Sequence, residues 1–115
     1  MVNRVVTGAH YGLRDWLVQR VTAAVMAVYV LSLAGWLLVQ PQLDYDAWTG
    51  LFASNIMRSF TMLFLLSLFY HAWIGVRDIV MDYVHPAGLR LLAHVLVILA
   101  LVMYVIWAVQ ILWGL

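Results

Sequence analysis

Three stretches of this chain run for about twenty residues each without a charged side chain, and they limit what it can fold into. Arg20 and Asp44 enclose the first, VTAAVMAVYVLSLAGWLLVQPQL. Arg58 and Arg77 enclose the second, which only His71 interrupts among strongly polar groups. Arg90 opens the third, where His94 and Gln110 are the polar members. Each helical stretch matches the ~20 residues that cross a bilayer's hydrocarbon core. Each must be a helix, because an isolated strand leaves its backbone groups unpaired in lipid. A soluble alternative fails on area. With 67% of 115 residues hydrophobic, a domain this small has too much surface for its volume to hide them. The expected fold is all-α and integral to a membrane. It is a single domain over residues 1–115, with three transmembrane helices at about 21–40, 59–80 and 91–113.

The same composition narrows the function classes. A formal net charge of +1 gives no basic field for nucleic acid. The absence of Cys rules out disulfides, thiolate metal sites and cysteine nucleophiles. No nucleophile–base set, phosphate loop or metalloprotease motif appears, and the chain is too small for a flavin or nicotinamide fold. A catalytic centre within this chain alone is not expected. The amino end does not read as a signal peptide. It is mixed, with Arg4, Arg14, Asp15 and Arg20, and no small-x-small cleavage site closes the apolar run. A bacterial inner membrane is the expected location.

Arginine placement sets the orientation. With the amino end inside, the inner side holds Arg4, Arg14, Arg20, Arg77 and Arg90, and the outer side holds Arg58 with Asp44 and Asp46. Five against one fits the positive-inside rule and puts the carboxyl end in the periplasm. Trp16, Trp36, Trp48, Trp107 and Trp113 fall near span ends or in the links, as interface aromatics do. In the outer link, Asp44 can cap a short helix, on which Tyr45, Trp48, Leu51 and Phe52 share one face. This reads as an amphipathic piece on the outer surface. In the inner link, Pro86 cannot continue the second helix, and His85 before it is biased to extended geometry.

The informative segment is SLFYHAWIGVRDIVMDYVHP, Ser67 to Pro86. At about 100° per residue, Ser67, His71, Gly75, Asp78 and Asp82 form one stripe from mid-membrane to the inner rim. Such a stripe faces protein, cofactor or water rather than lipid. His71 lies about 9 Å deeper than Arg77, by helical rise. An imidazole there can ligate haem iron, relay protons or hydrogen-bond a neighbouring helix. Gly75 leaves room for a flat macrocycle or for close helix packing. Asp82 and Tyr83 can exchange protons and donate a hydrogen bond to a quinone carbonyl, or they are a helix-end acid and a belt tyrosine. Arg20 can pair with a propionate or quinone oxygen, or serve as a positive-inside anchor. His94, four residues inside Arg90, is a second-ligand candidate or a rim residue. His10 and His85 read as solvated rim residues.

The run HAWIGVRDIVMDY resembles the signature of the hydrophobic membrane anchor, the D subunit, of succinate dehydrogenase, the quinone-reducing respiratory complex II. That pattern is a helix-two His, then Ala, a Gly four residues after the His, and Asp-Tyr eleven and twelve after it. His71, Ala72, Gly75, Asp82 and Tyr83 match each position. The first segment adds Leu17, Arg20, Thr22 and Ala23, and the outer link adds Tyr45, Trp48, Gly50, Phe52, Ala53 and Ser54. The likeness covers nearly the whole chain. It implies a cytochrome b-type haem shared with a second anchor, the C subunit, and here ligated by His71 rather than His94. It implies ubiquinone near the cytoplasmic face, hydrogen-bonded by Tyr83, and a haem propionate near Arg20. The implied partners are the second anchor, an iron–sulfur subunit, a flavoprotein subunit and membrane lipid. Haem-free fumarate reductase anchors lack the histidine, so His71 disfavours them. The amino end matches nothing, and no role for Arg14 or Asp15 is implied. The alternatives from other classes are a structural or assembly subunit, with His71 merely bridging helices, and a proton-conducting subunit.

Overall fold

Four helices account for nearly all of residues 2–114, which the computed structural model describes, with side chains from Gly12 onward. They are α1 (Val2–Val39), α2 (Tyr45–Phe52), α3 (Asn55–Tyr83) and α4 (Ala87–Trp113). No strand occurs among the described residues. Three of the helices have lengths and compositions that cross a membrane: Gly12–Val39, Asn55–Tyr83 and Ala87–Trp113. The chain is a multi-pass, all-helical membrane protein.

Helix α1 begins far earlier than the apolar run. The sequence reading left residues 1–20 unassigned, but the helix continues straight through Arg14, Asp15 and Arg20. No proline stands in its way, and an isolated glycine costs a helix only about 1 kcal/mol. The charges mark where the helix leaves the hydrocarbon, not where it stops.

The links obey local chemistry. The Asp44 side chain accepts the Ala47 amide at 2.8 Å and starts α2, as its position suggests. Ser54 caps α3 in the same way through the Met57 amide. Arg58 turns back to donate to the Phe52 carbonyl at 2.6 Å, satisfying an end-of-helix acceptor. At the other end α3 stops at Tyr83, Val84 turns extended, and Pro86 precedes α4. The inner link is therefore only Val84 to Pro86. Arg90 donates from Nε to the Val84 carbonyl at 2.9 Å and from its terminal nitrogen to the Met81 carbonyl at 3.2 Å. The α2–α3 and α3–α4 links thus each have an arginine closing the carbonyl end of the helix before it.

Helix α3 is the centre. α1 packs along one side, α4 along another, and α2 across its outer end. No comparable contact joins α1 to α4 among the described residues. The hydrophobic pattern is inverted relative to a soluble protein. Leu38 is 85% exposed and Leu31 72%, while Thr22, Thr61 and Ser67 are buried. Lipid tails are as apolar as leucine, so packing, small residues and interhelical hydrogen bonds hold such helices together. Tyr29 does both on the outer half: its hydroxyl is 2.7 Å from that of Thr61, and its ring stacks on Phe64 at 4.4 Å. The shared face expected for α2 divides between two grooves. Leu51 reaches the one between α1 and α3, and Tyr45, Trp48 and Phe52 line the one between α3 and α4.

Candidate functional site

The polar stripe of α3 turns toward α1. Ser67 is buried and His71 half-buried, with Thr22 of α1 facing the imidazole. The Thr22 hydroxyl oxygen lies 3.0 Å from His71 Nδ1. The same oxygen is 2.7 Å from the Val18 carbonyl and 3.2 Å from the Gln19 carbonyl, one turn earlier on its own helix. No hydrogen bond among the described residues uses His71 Nε2. The interhelical contact therefore occupies Nδ1 and leaves Nε2 without a hydrogen bond among the described residues.

Next to it, Gly75 faces open space. A Cβ built there meets nothing within 4 Å. Close helix packing within this chain does not explain the glycine, and a flat group approaching His71 has room along that flank.

Toward the Tyr83 end of α3 the stripe changes character. Arg77 forms an ion pair with Asp15 of α1 and has Asp78 at 3.6 Å. Asp78 is thus a neighbour of the arginine rather than an open member of the stripe. Asp15, to which sequence reasoning gave no role, is the ion-pair partner that ties α1 to α3. Beyond this pair, Asp82 and Tyr83 are exposed at the end of α3, with Tyr83 at 77%. By helical rise, Tyr83 sits about 18 Å along the axis from His71.

Arg20 is not brought to His71. It lies two residues from Thr22, about 160° around α1, so it projects from the opposite face. Its guanidinium stands over the Trp16 ring, 5.4 Å from the centroid. His94 is also separate. It packs edge-on against Trp73 at 5.6 Å, in the α3–α4 contact. Trp73 points about 160° around α3 from His71. The two histidines lie on different sides of α3, and their arrangement does not favour one iron ligated twice by this chain. His94 Nε2 is buried without a hydrogen-bond partner among the described residues. His85 is exposed, and the His10 side chain lies outside the described residues.

Thr22 and Asp15 are the residues whose contacts the sequence did not reveal. Thr22 stood in a matched motif without a role; its signal is only that it is a hydroxyl on a lipid-facing segment, which needs a partner.

Comparison with known proteins agrees with this arrangement of elements. Residues 3–106 match the family described as succinate dehydrogenase/fumarate reductase transmembrane subunit. The chain is also 42% identical over 102 residues to the succinate dehydrogenase hydrophobic membrane anchor subunit of Coxiella burnetii (strain RSA 493 / Nine Mile phase I). That alignment covers 89% of each protein.

Proposed function

The chain belongs to the succinate dehydrogenase/fumarate reductase transmembrane subunit family, as a succinate dehydrogenase membrane anchor, and we propose that it holds half of a b-type haem and part of a ubiquinone-reduction site. In this reading a second anchor subunit supplies the other axial ligand. A flavoprotein and an iron–sulfur subunit dock on the inner side and deliver electrons from succinate.

His71 carries the proposal. Its Nδ1 is committed to Thr22, its Nε2 is free of other bonds among the described residues, and the Gly75 flank beside it is open. A single half-buried imidazole in this state is what a shared haem asks of one subunit. When bound, the haem supplies a one-electron centre within the membrane. His71 would hold the iron through Nε2, while the apolar residues around it exclude water.

Tyr83 and Asp82 would act at the inner rim. The Tyr83 hydroxyl, which makes no hydrogen bond among the described residues, would donate to a quinone carbonyl oxygen. The Asp82 carboxylate, exposed beside it, can take a proton from the aqueous side and pass it on through water. Two-electron reduction of ubiquinone consumes two protons, and both would come from the cytoplasm. Arg20, on the far face of α1, is supported by its position as a positive-inside anchor. A propionate contact there requires the macrocycle edge to reach α1 from that side. The arginine asymmetry supports an amino end in the cytoplasm and a carboxyl end in the periplasm of a bacterial inner membrane.

The Thr22 bond also supports the structural alternative, in which His71 only bridges helices. The reduced-minus-oxidised absorption spectrum of the assembled complex carrying His71→Ala separates the two. Loss or displacement of the b-type bands is expected. An unchanged spectrum in a fully assembled complex sinks the ligand assignment.

A further inference from the structure

We propose that Thr22 is the positioning residue for His71, fixing the ring nitrogen that carries the proton and hence the nitrogen offered to a metal. This rests on the reading of His71 as a haem ligand. The inference follows from counting protons. A threonine hydroxyl has one hydrogen and two lone pairs. Three groups surround the Thr22 oxygen: the Val18 carbonyl at 2.7 Å, the Gln19 carbonyl at 3.2 Å and His71 Nδ1 at 3.0 Å. The carbonyls only accept, so the hydroxyl proton goes to them, with Val18 nearest. The oxygen can then meet Nδ1 only as an acceptor, which requires hydrogen on Nδ1. The neutral ring accordingly has its lone pair on Nε2.

Thr22 is itself held in place. It is 8% exposed, and a β-branched threonine within a helix keeps few rotamers, one of which bonds the preceding turn. The chain Val18 carbonyl, Thr22 hydroxyl, His71 imidazole thus transmits the backbone geometry of α1 to a ring on α3. Metal-bound histidines commonly donate their other N–H to a fixed acceptor, which orients the ring and raises its basicity. A more basic imidazole favours the oxidised iron.

The test uses the assembled complex purified from membranes, with Thr22→Val and Thr22→Ser. Valine keeps the branched shape and removes the acceptor; serine keeps the hydroxyl. Haem content, the ferric electron paramagnetic resonance spectrum and the midpoint potential are measured. Thr22→Val is expected to bind haem with altered ferric g-values. Its ratio of reduced to oxidised haem at fixed potential should rise threefold to tenfold, where tenfold is about 59 mV for one electron. Thr22→Ser should restore most of both. Wild-type g-values and potential in the valine variant would overturn the inference, as would an equal shift in the serine variant. His71→Ala in parallel keeps the two readings apart. If it loses the haem while Thr22→Val behaves as wild type, only the role of Thr22 falls. If His71→Ala keeps its haem spectrum, the ligand reading falls and Thr22 positions nothing.

Discussion

Tyr83→Phe isolates the proposed quinone contact, because the exposed hydroxyl makes no hydrogen bond among the described residues. Tyr83 is 77% exposed, at the last residue of α3. The fold of this chain therefore loses nothing when its oxygen is removed, and the ring that lies at the interface remains. Assembly, haem spectrum and thermal midpoint of the complex should be unchanged. A hydrogen bond lost from a partly wet site costs about 0.5–1.5 kcal/mol. That corresponds to roughly threefold to tenfold weaker ubiquinone binding or slower quinone reduction, since about 1.4 kcal/mol is a factor of ten. The loss is larger if the bond strengthens as charge develops on the quinone oxygen. The assay pairs two rates on one preparation: succinate to ubiquinone, and succinate to an artificial acceptor that takes electrons before the quinone site. Only the first should fall. Wild-type quinone reduction would reduce Tyr83 to a belt tyrosine. Equal loss of both rates would mean that Tyr83 is needed for docking the soluble subunits, and would overturn the quinone assignment.

Other outcomes follow from separate parts of the molecule. Asp15→Asn should lower the thermal midpoint of the complex by the equivalent of about 1–2 kcal/mol, between exposed and buried ion pairs, because the two side chains are 30% and 38% exposed. Asp78→Asn, at a carboxylate 64% exposed, should cost less; the reverse order would show that Asp15 is not the main partner of Arg77. His94→Ala should leave the haem spectrum intact, since the residue sits against Trp73 across α3 from His71; a lost band would return it to the iron. A reporter fused after Leu115 should be active only if it works in the periplasm, and cytoplasmic activity would invert the site placement.

Much of this fold was legible from charge alone. Each of the three apolar runs begins just after an arginine, and no solvent other than a bilayer accepts them. The cap at Asp44 and the break at Pro86 were also legible, because each depends on a residue and its immediate neighbours. What was not legible depended on more than one helix. The beginning of α1 was missed because charges look like loop when the headgroup region is not considered. The division of the α2 face into two grooves was missed because a helical wheel shows one face but not how many helices it touches. The pairing of Thr22 with His71 joins residues 49 apart, and only the register of α1 against α3 brings it about. The same register puts Arg20 on the far face, although its place in the motif suggested the same neighbourhood as His71.

That register explains why the stripe on α3 is not uniform. Deep in the membrane, a hydroxyl or imidazole without a partner is costly, so Thr61 meets Tyr29 and His71 meets Thr22. Near the Tyr83 end of α3, water reduces that cost, and the carboxylates diverge: Asp15 holds Arg77, and Asp82 is left exposed. Two features on α3 stand apart from this pairing. One is His71 Nε2, which takes no hydrogen bond among the described residues, and the other is the space beside Gly75. Both lie on α3 within about one helical turn of each other. The central helix is flanked by two others that do not close over it. A partner that brings a flat, metal-containing group to that flank would satisfy both at once. In the proposed reading, the haem then belongs at an interface between subunits rather than in the interior of this one.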